Sequence, residues 1–150
     1  MTKIKFSRLN DEAKLPTRKY SEDAGIDLYC VGTYNIKPGE SKIIKTGVSV
    51  NIPKGFFGLI KAKSKNNFIV GAGVVDQNYQ GELLIKIINY HIDNKRLIII
   101  NGTGVAQLLL IPTIYPEIEE VHINELYGKE SDRKDSGGIV SQLIMELGYD

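Results

Sequence analysis

The sequence has one cysteine, no tryptophan and two histidines in 150 residues. Cys30 alone excludes an internal disulfide, and with His91 and His122 it forms no cluster at metal-ligand spacing. Charge of one sign is also missing: 19 Lys and Arg against 18 Asp and Glu leave a formal +1. That excludes broad electrostatic attachment to nucleic acid or to an anionic membrane, so any anion must be held locally. No apolar run approaches the ~20 residues that a bilayer span needs. The first residues are polar and Lys-rich rather than an apolar leader, so a cytoplasmic location is expected. A hydrophobic fraction of 42% and a charged fraction of 25% are ordinary for a soluble globular protein. The length suits one domain with a real core.

What is present is short and extended. Lys3 to Phe6 alternates like an edge strand, and Ile43 to Ile52 alternates apolar residues with Thr and Ser. Phe56 to Lys61, Leu83 to Ile88, Leu97 to Ile100 and Val105 to Ile111 read as further strands, the last ending at Pro112. Lys37-Pro38-Gly39-Glu40 and Pro53-Lys54-Gly55 are turns, and His91 to Lys95 is a polar loop. Turn signals recur throughout and no long helical period appears before residue 140, which predicts an all-β barrel or sandwich.

The most informative stretch is Val70 to Glu82. Gly71 and Gly73 bracket Ala72, so the backbone there is free to take positive φ and to approach a ligand closely. Bare backbone N–H and C=O groups are suited to reading a flat polar heterocycle. Asp76 and Tyr79 place a carboxylate and a ring beside it, and Gly81 closes the bend. The residues by themselves equally describe a plain hairpin whose Asp and Gly serve the turn. Farther on, Lys129 to Gly138 is charged and small, and Ser141 to Leu147 is apolar again. A solvated tail and a lid closing over a phosphate both fit that composition. The expected division is a domain over residues 1–128 and a tail over 129–150.

Separated segments also fit one family in order. Ala24-Gly25-Ile26-Asp27-Leu28, Ala62-Lys63-Ser64, Gly73-Val74-Val75-Asp76-Gln77-Asn78-Tyr79-Gln80-Gly81 and Gly102-Thr103-Gly104-Val105-Ala106-Gln107-Leu108 resemble the first four motifs of the trimeric dUTP diphosphatases. The third is the most specific, and the likeness runs to about residue 142.

The resemblance implies a distorted jelly-roll-like β-barrel, a homotrimer with sites shared between subunits, and Mg²⁺-dependent hydrolysis of dUTP to dUMP and pyrophosphate. It implies neither stable nucleic-acid binding nor a membrane. Backbone at Gly71, Ala72 and Gly73, with Val75, would meet uracil, whose donor and acceptor pattern is the reverse of cytosine's. Tyr79 would pack under the deoxyribose. Asp76 would hold the sugar 3′-hydroxyl and orient or deprotonate the attacking water. Asp27 would anchor Mg²⁺, through a water. Lys63, Ser64, Lys65 and Gln107 would meet phosphate, Gln107 also the nucleophilic water. Arg133, Lys134, Gly138 and Ile139 stand where the fifth motif closes over the nucleotide.

Several positions depart from the family. Lys63 replaces the usual Arg, keeping the charge but not the bidentate fork. Lys65 stands at a usually small position, and Gly104 replaces a commonly basic residue. In the fifth motif Ile139 takes the place of the aromatic that stacks on uracil, and Val140 occupies a glycine position. Two rivals are weighed against these residues. The related dCTP deaminases keep a catalytic Glu where this chain has Lys86, which argues against deamination. A form that binds nucleotide or a regulatory partner without efficient hydrolysis is supported by the altered fifth motif. Asp27, Ser64, Asp76, Tyr79 and Gln107 argue against it.

Overall fold

The computed structural model describes residues 2–130 and 132. Internal packing divides the chain into two units, one ending at Tyr115 and the other beginning at Pro116. In the second unit, residues 116–122 lack regular structure and α1 (Ile123–Leu126) makes one helical turn. His122 caps that turn, its Nδ1 accepting from the Asn124 N–H at 3.2 Å. A turn this short shows no period in the sequence. Arg133, Lys134, Gly138 and Ile139 lie outside the described residues.

The first unit is built of antiparallel strands. One sheet contains β1 (Lys5–Arg8), β4 (Ser41–Asn51), β8 (Glu82–Ile88) and β6 (Ile69–Gly71), in that order. The other contains β2 (Ile26–Tyr29), β10 (Gly104–Pro112), β5 (Phe56–Lys61) and β7 (Val74–Val75). A ribbon of β3 (Tyr34–Ile36) and β9 (Leu97–Ile99) completes it. This is the all-β, jelly-roll-like arrangement that the sequence predicts. The edge strand β1 begins two residues later than Lys3, and β10 carries its pairing through Pro112 to Phe56.

The pattern of β8 shows why these residues form strands. Leu83, Ile85 and Ile87 are buried while Leu84 and Lys86 face out, the period of two that a half-buried sheet requires. Their inward faces meet Leu28, Ile36, Ile44, Val48, Val105 and Leu108 in one core. In β4 the alternation breaks at Thr46–Val48, where the register with β8 shifts between Lys45 and Ser49. The buried Thr46 hydroxyl donates to the Leu83 carbonyl at 2.6 Å and accepts from the Val48 N–H at 3.3 Å, so the bulge has polar partners inside the core.

Candidate functional site

Three chain segments far apart in sequence converge where β2, β10 and β5 lie side by side. Asp27 stands opposite Gln107, and Gln107 opposite Lys61. The Gln107 side-chain amide Nε2 donates to the Ala62 carbonyl at 3.0 Å. Its Oε1 fills the space beside Gly25 that any Cβ there would occupy, so a side chain at that position would displace Gln107. Asp27 and Lys63 form an ion pair at 3.1 Å, with both side chains partly open to solvent.

The turn after β5 is fastened at both ends by one residue. The Asn66 N–H donates to the Lys63 carbonyl at 3.0 Å, and the Lys63 N–H donates to Asn66 Oδ1 at 2.7 Å. Ser64 and Lys65 occupy the exposed crest between them. A turn that presents a hydroxyl and an ammonium beside the Asp27–Lys63 pair is suited to an anion. Asp27 also offers a hard carboxylate oxygen, and no group of three or more His, Cys, Asp or Glu is present among the described residues. That donor set is too small for an all-protein cage. It fits a hard divalent cation that keeps its waters and shares phosphate oxygens.

The second half of the site is the hairpin from β6 to β8. β6 belongs to one sheet, where Gly71 pairs with Lys86, and β7 to the other, where Val74 pairs with Leu59. The chain changes sheets at Ala72–Gly73, and there the backbone is bare. The left-handed conformation falls on Ala72 (φ 58°) and Gly73 (φ 145°) and not on Gly71, which corrects the expectation that both glycines supply it. Gly73 is tied to β5: its carbonyl accepts from the Ile60 N–H at 2.7 Å, and a Cβ would collide with the Ile60 carbonyl oxygen.

Val75 is buried in the core, while Asp76 is exposed at the head of a turn. That turn closes when the Tyr79 N–H donates to the Asp76 carbonyl at 3.1 Å. The Tyr79 hydroxyl donates to the Glu82 carbonyl at 2.7 Å, and a Cβ at Gly81 would come within 2.6 Å of that oxygen. Gly81 is therefore dictated by the ring. Tyr79 walls a hollow of about 220 Å³ shared with Ile60, Ala72, Gly73, Val74 and Leu84. It also borders a larger hollow, about 400 Å³, beside Lys5, Ser7 and Asn51.

Asp76 and the Asp27 cluster lie at different points along β5. Val75 stands opposite Gly58, whereas Gln107 stands opposite Lys61. Three residues of strand, about 10 Å, separate those positions, and Asp76 follows Val75 on the far side. Within one chain, then, Asp27, Lys63 and Gln107 are together, Gly73 meets Ile60 next to Lys61, and Asp76 lies farther along β5. Sequence reading missed Asn66 and Glu82. Asn66, three residues after Lys63, carried a local signal; Glu82 is visible only through its contact with Tyr79.

An antiparallel β-fold presenting a bare-backbone hairpin and a Lys–Ser turn beside a lone carboxylate defines a nucleotide-site class of protein. A dUTPase family model matches residues 11–137, and the chain belongs to that family. It is 36% identical over 138 residues to the deoxyuridine 5'-triphosphate nucleotidohydrolase of rabbitpox virus, covering 89% of each chain. Against the human mitochondrial deoxyuridine 5'-triphosphate nucleotidohydrolase it is 35% identical over 122 residues, covering 79% of this chain and 48% of that one. Among solved structures, the Staphylococcus bacteriophage 80alpha dUTPase with dUPNHPP superposes with a TM-score of 0.79 at 29% identity, over 92% of this chain and 97% of that one. A mutant dUTPase from phage phi11 of S. aureus, described with a structural Mg(II) ion, gives 0.74 at 28% identity, over 80% and 97%. Among the described residues no helix is long and apolar enough to cross a membrane.

Proposed function

We propose that this chain hydrolyses dUTP to dUMP and pyrophosphate, by attack of water on the α-phosphate. The observation that carries the reading is the convergence of Asp27, Lys63 and Gln107 from three separated segments, held by Gly25 and the Ala62 carbonyl. The relatives are named as nucleotidohydrolases, which favours hydrolysis over binding alone.

In this reading the bare backbone around Ala72 meets the polar edge of uracil. Because the Gly73 carbonyl already accepts from Ile60, Ala72 carries most of that recognition. Cytosine would leave buried donors and acceptors facing their own kind, a mismatch that discriminates by about 10⁴-fold or more. The Tyr79 ring lies against the deoxyribose, where a 2′-hydroxyl finds no partner. Asp76 holds the 3′-hydroxyl and takes the proton of the attacking water. Lys63, Ser64 and Lys65 receive phosphate oxygens, and Gln107, oriented by Ala62, hydrogen-bonds phosphate or water. Asp27 would hold Mg²⁺. When bound, the ion gathers phosphate oxygens and neutralises charge on the leaving pyrophosphate. Arg133, Lys134, Gly138 and Ile139 are kept as proposed substrate-binding residues.

A base must come within about 3 Å of the water it activates. One chain's Asp76 follows Val75 at Gly58, about 10 Å along β5 from its own Asp27 cluster at Lys61, so the reading includes a homotrimer in which neighbouring copies complete each site. The reading keeps the expected cytoplasmic location. The test is pyrophosphate release from dUTP, dCTP, dTTP and UTP, with Mg²⁺ and with chelator. Turnover of dUTP alone, abolished by chelator, is the expected result; no turnover of dUTP with Mg²⁺ overturns the proposal.

A further inference from the structure

Gly102 and Gly104 are each pressed by a lysine head. A Cβ at Gly102 would stand 3.1 Å from Lys14 Nζ, and one at Gly104 would stand 3.1 Å from Lys63 Nζ. Two ammonium groups therefore border one three-residue loop. Gly102 needs its glycine for a φ of 84° in any case. Gly104 has no such backbone demand, so its missing side chain serves the space around Lys63 and Tyr29, whose ring would lie 3.6 Å from a Cβ there.

Tyr29 pairs across the strands with Gly104 and organises the second ammonium. Lys14 Nζ lies 5.3 Å from the centre of its ring, and the ring is fixed by a 2.6 Å hydrogen bond between the Tyr29 and Thr17 hydroxyls. Lys14 also donates to the Gly102 carbonyl at 3.2 Å. An ammonium has three donors, and this contact uses one. Among the described residues Lys14 makes no ion pair, whereas Lys63 shares Asp27. Beside Lys14 and Tyr29 opens a hollow of about 570 Å³ that Arg8 also lines. The loop thus has a cation on each flank, with the carboxylate of Asp27 on Lys63 and an open hollow beside Lys14.

We infer that Lys14 is a further substrate-binding residue, taking the terminal phosphates of the nucleotide that Asp27 and Lys63 hold nearer the scissile bond. The inference rests on the proposed dUTP hydrolysis and adds a residue outside every motif that points to it. The charge comes from a lysine packed on the ring of Tyr29, which pairs across the strands with Gly104 beside Lys63.

The test compares binding of a non-hydrolysable dUTP analogue and of dUMP, with Mg²⁺, to the full chain and to Lys14→Met and Lys14→Arg. Removing one partly exposed phosphate contact should weaken the triphosphate analogue about fivefold. The dUMP affinity should stay unchanged, Lys14→Arg should bind the analogue like the parent chain, and the loss should shrink at high salt. Melting temperatures verify that the variants are folded. An unchanged analogue affinity overturns the inference. So does an equal loss for dUMP and analogue, which would mean that Lys14 acts only by packing on Tyr29. A parent chain that binds no analogue overturns the proposed function itself, and that result is read before any variant is made.

Discussion

The Tyr79 hydroxyl donates to the Glu82 carbonyl at 2.7 Å, so the strand that follows the turn holds the ring that precedes it. With its N–H on the Asp76 carbonyl, Tyr79 is fastened at both ends and forms the wall between two hollows.

Loss of that wall should relax sugar choice. Tyr79→Ala joins the hollows and gives a 2′-hydroxyl both space and water. An unpaired buried hydroxyl costs about 1–3 kcal/mol, so the ratio of kcat/KM for dUTP over UTP should fall roughly tenfold or more. Tyr79→Phe, which keeps the ring and loses its tether, should fall less. An unchanged ratio in the alanine variant removes Tyr79 from the sugar pocket.

Asp76→Asn keeps the shape of the turn and removes the base. Turnover should drop by about 10²–10⁴-fold while the affinity for a non-hydrolysable dUTP analogue stays within a few-fold. Single-turnover kinetics beside equilibrium binding separates the two effects. Turnover near the parent rate would take the base away from Asp76.

Asp27→Asn breaks the pair with Lys63 and weakens the proposed hold on Mg²⁺. Because both side chains are partly exposed, stability should change by less than about 1 kcal/mol. The Mg²⁺ concentration giving half-maximal activity should rise about tenfold or more, as for other residues that hold a metal through its outer shell. A Mg²⁺ titration that superposes on the parent's would place the metal elsewhere.

Thr46→Val tests the fold rather than the chemistry. It is close to isosteric but leaves the buried Leu83 carbonyl and Val48 N–H without their hydroxyl partner. The expected cost is about 1–3 kcal/mol, read as a lower urea midpoint at unchanged slope.

The strands that could be read from the sequence are those whose burial is local. Leu83 to Ile88 is an aliphatic run broken only by Lys86, so the run announced the strand, though not that Leu84 faces out. β2 and β3, four and three residues long, were not distinguished as strands, because partners far away in β10 and β9 make them so. The same divide runs through the site. Asp76 and Tyr79 lie in one turn and were recognisable as a unit. The meeting of Gln107 with Ala62 and Gly25 depends on three segments in register, and no spacing in the chain reports it. Ala72 was taken as the residue between two flexible ones, and the pairings of Gly71 with Lys86 and of Gly73 with Ile60 transfer the strain to it.

The crossing at Ala72–Gly73 has a wider consequence. The backbone proposed to read the base belongs to neither sheet, and its position is the difference between the positions of the two. Substitutions in the core that shift one sheet against the other by a few tenths of an ångström would degrade the choice among bases while the protein still folds and still holds phosphate. Fidelity in this chain is then a mechanical property of how the barrel closes, distributed over residues that never touch a nucleotide.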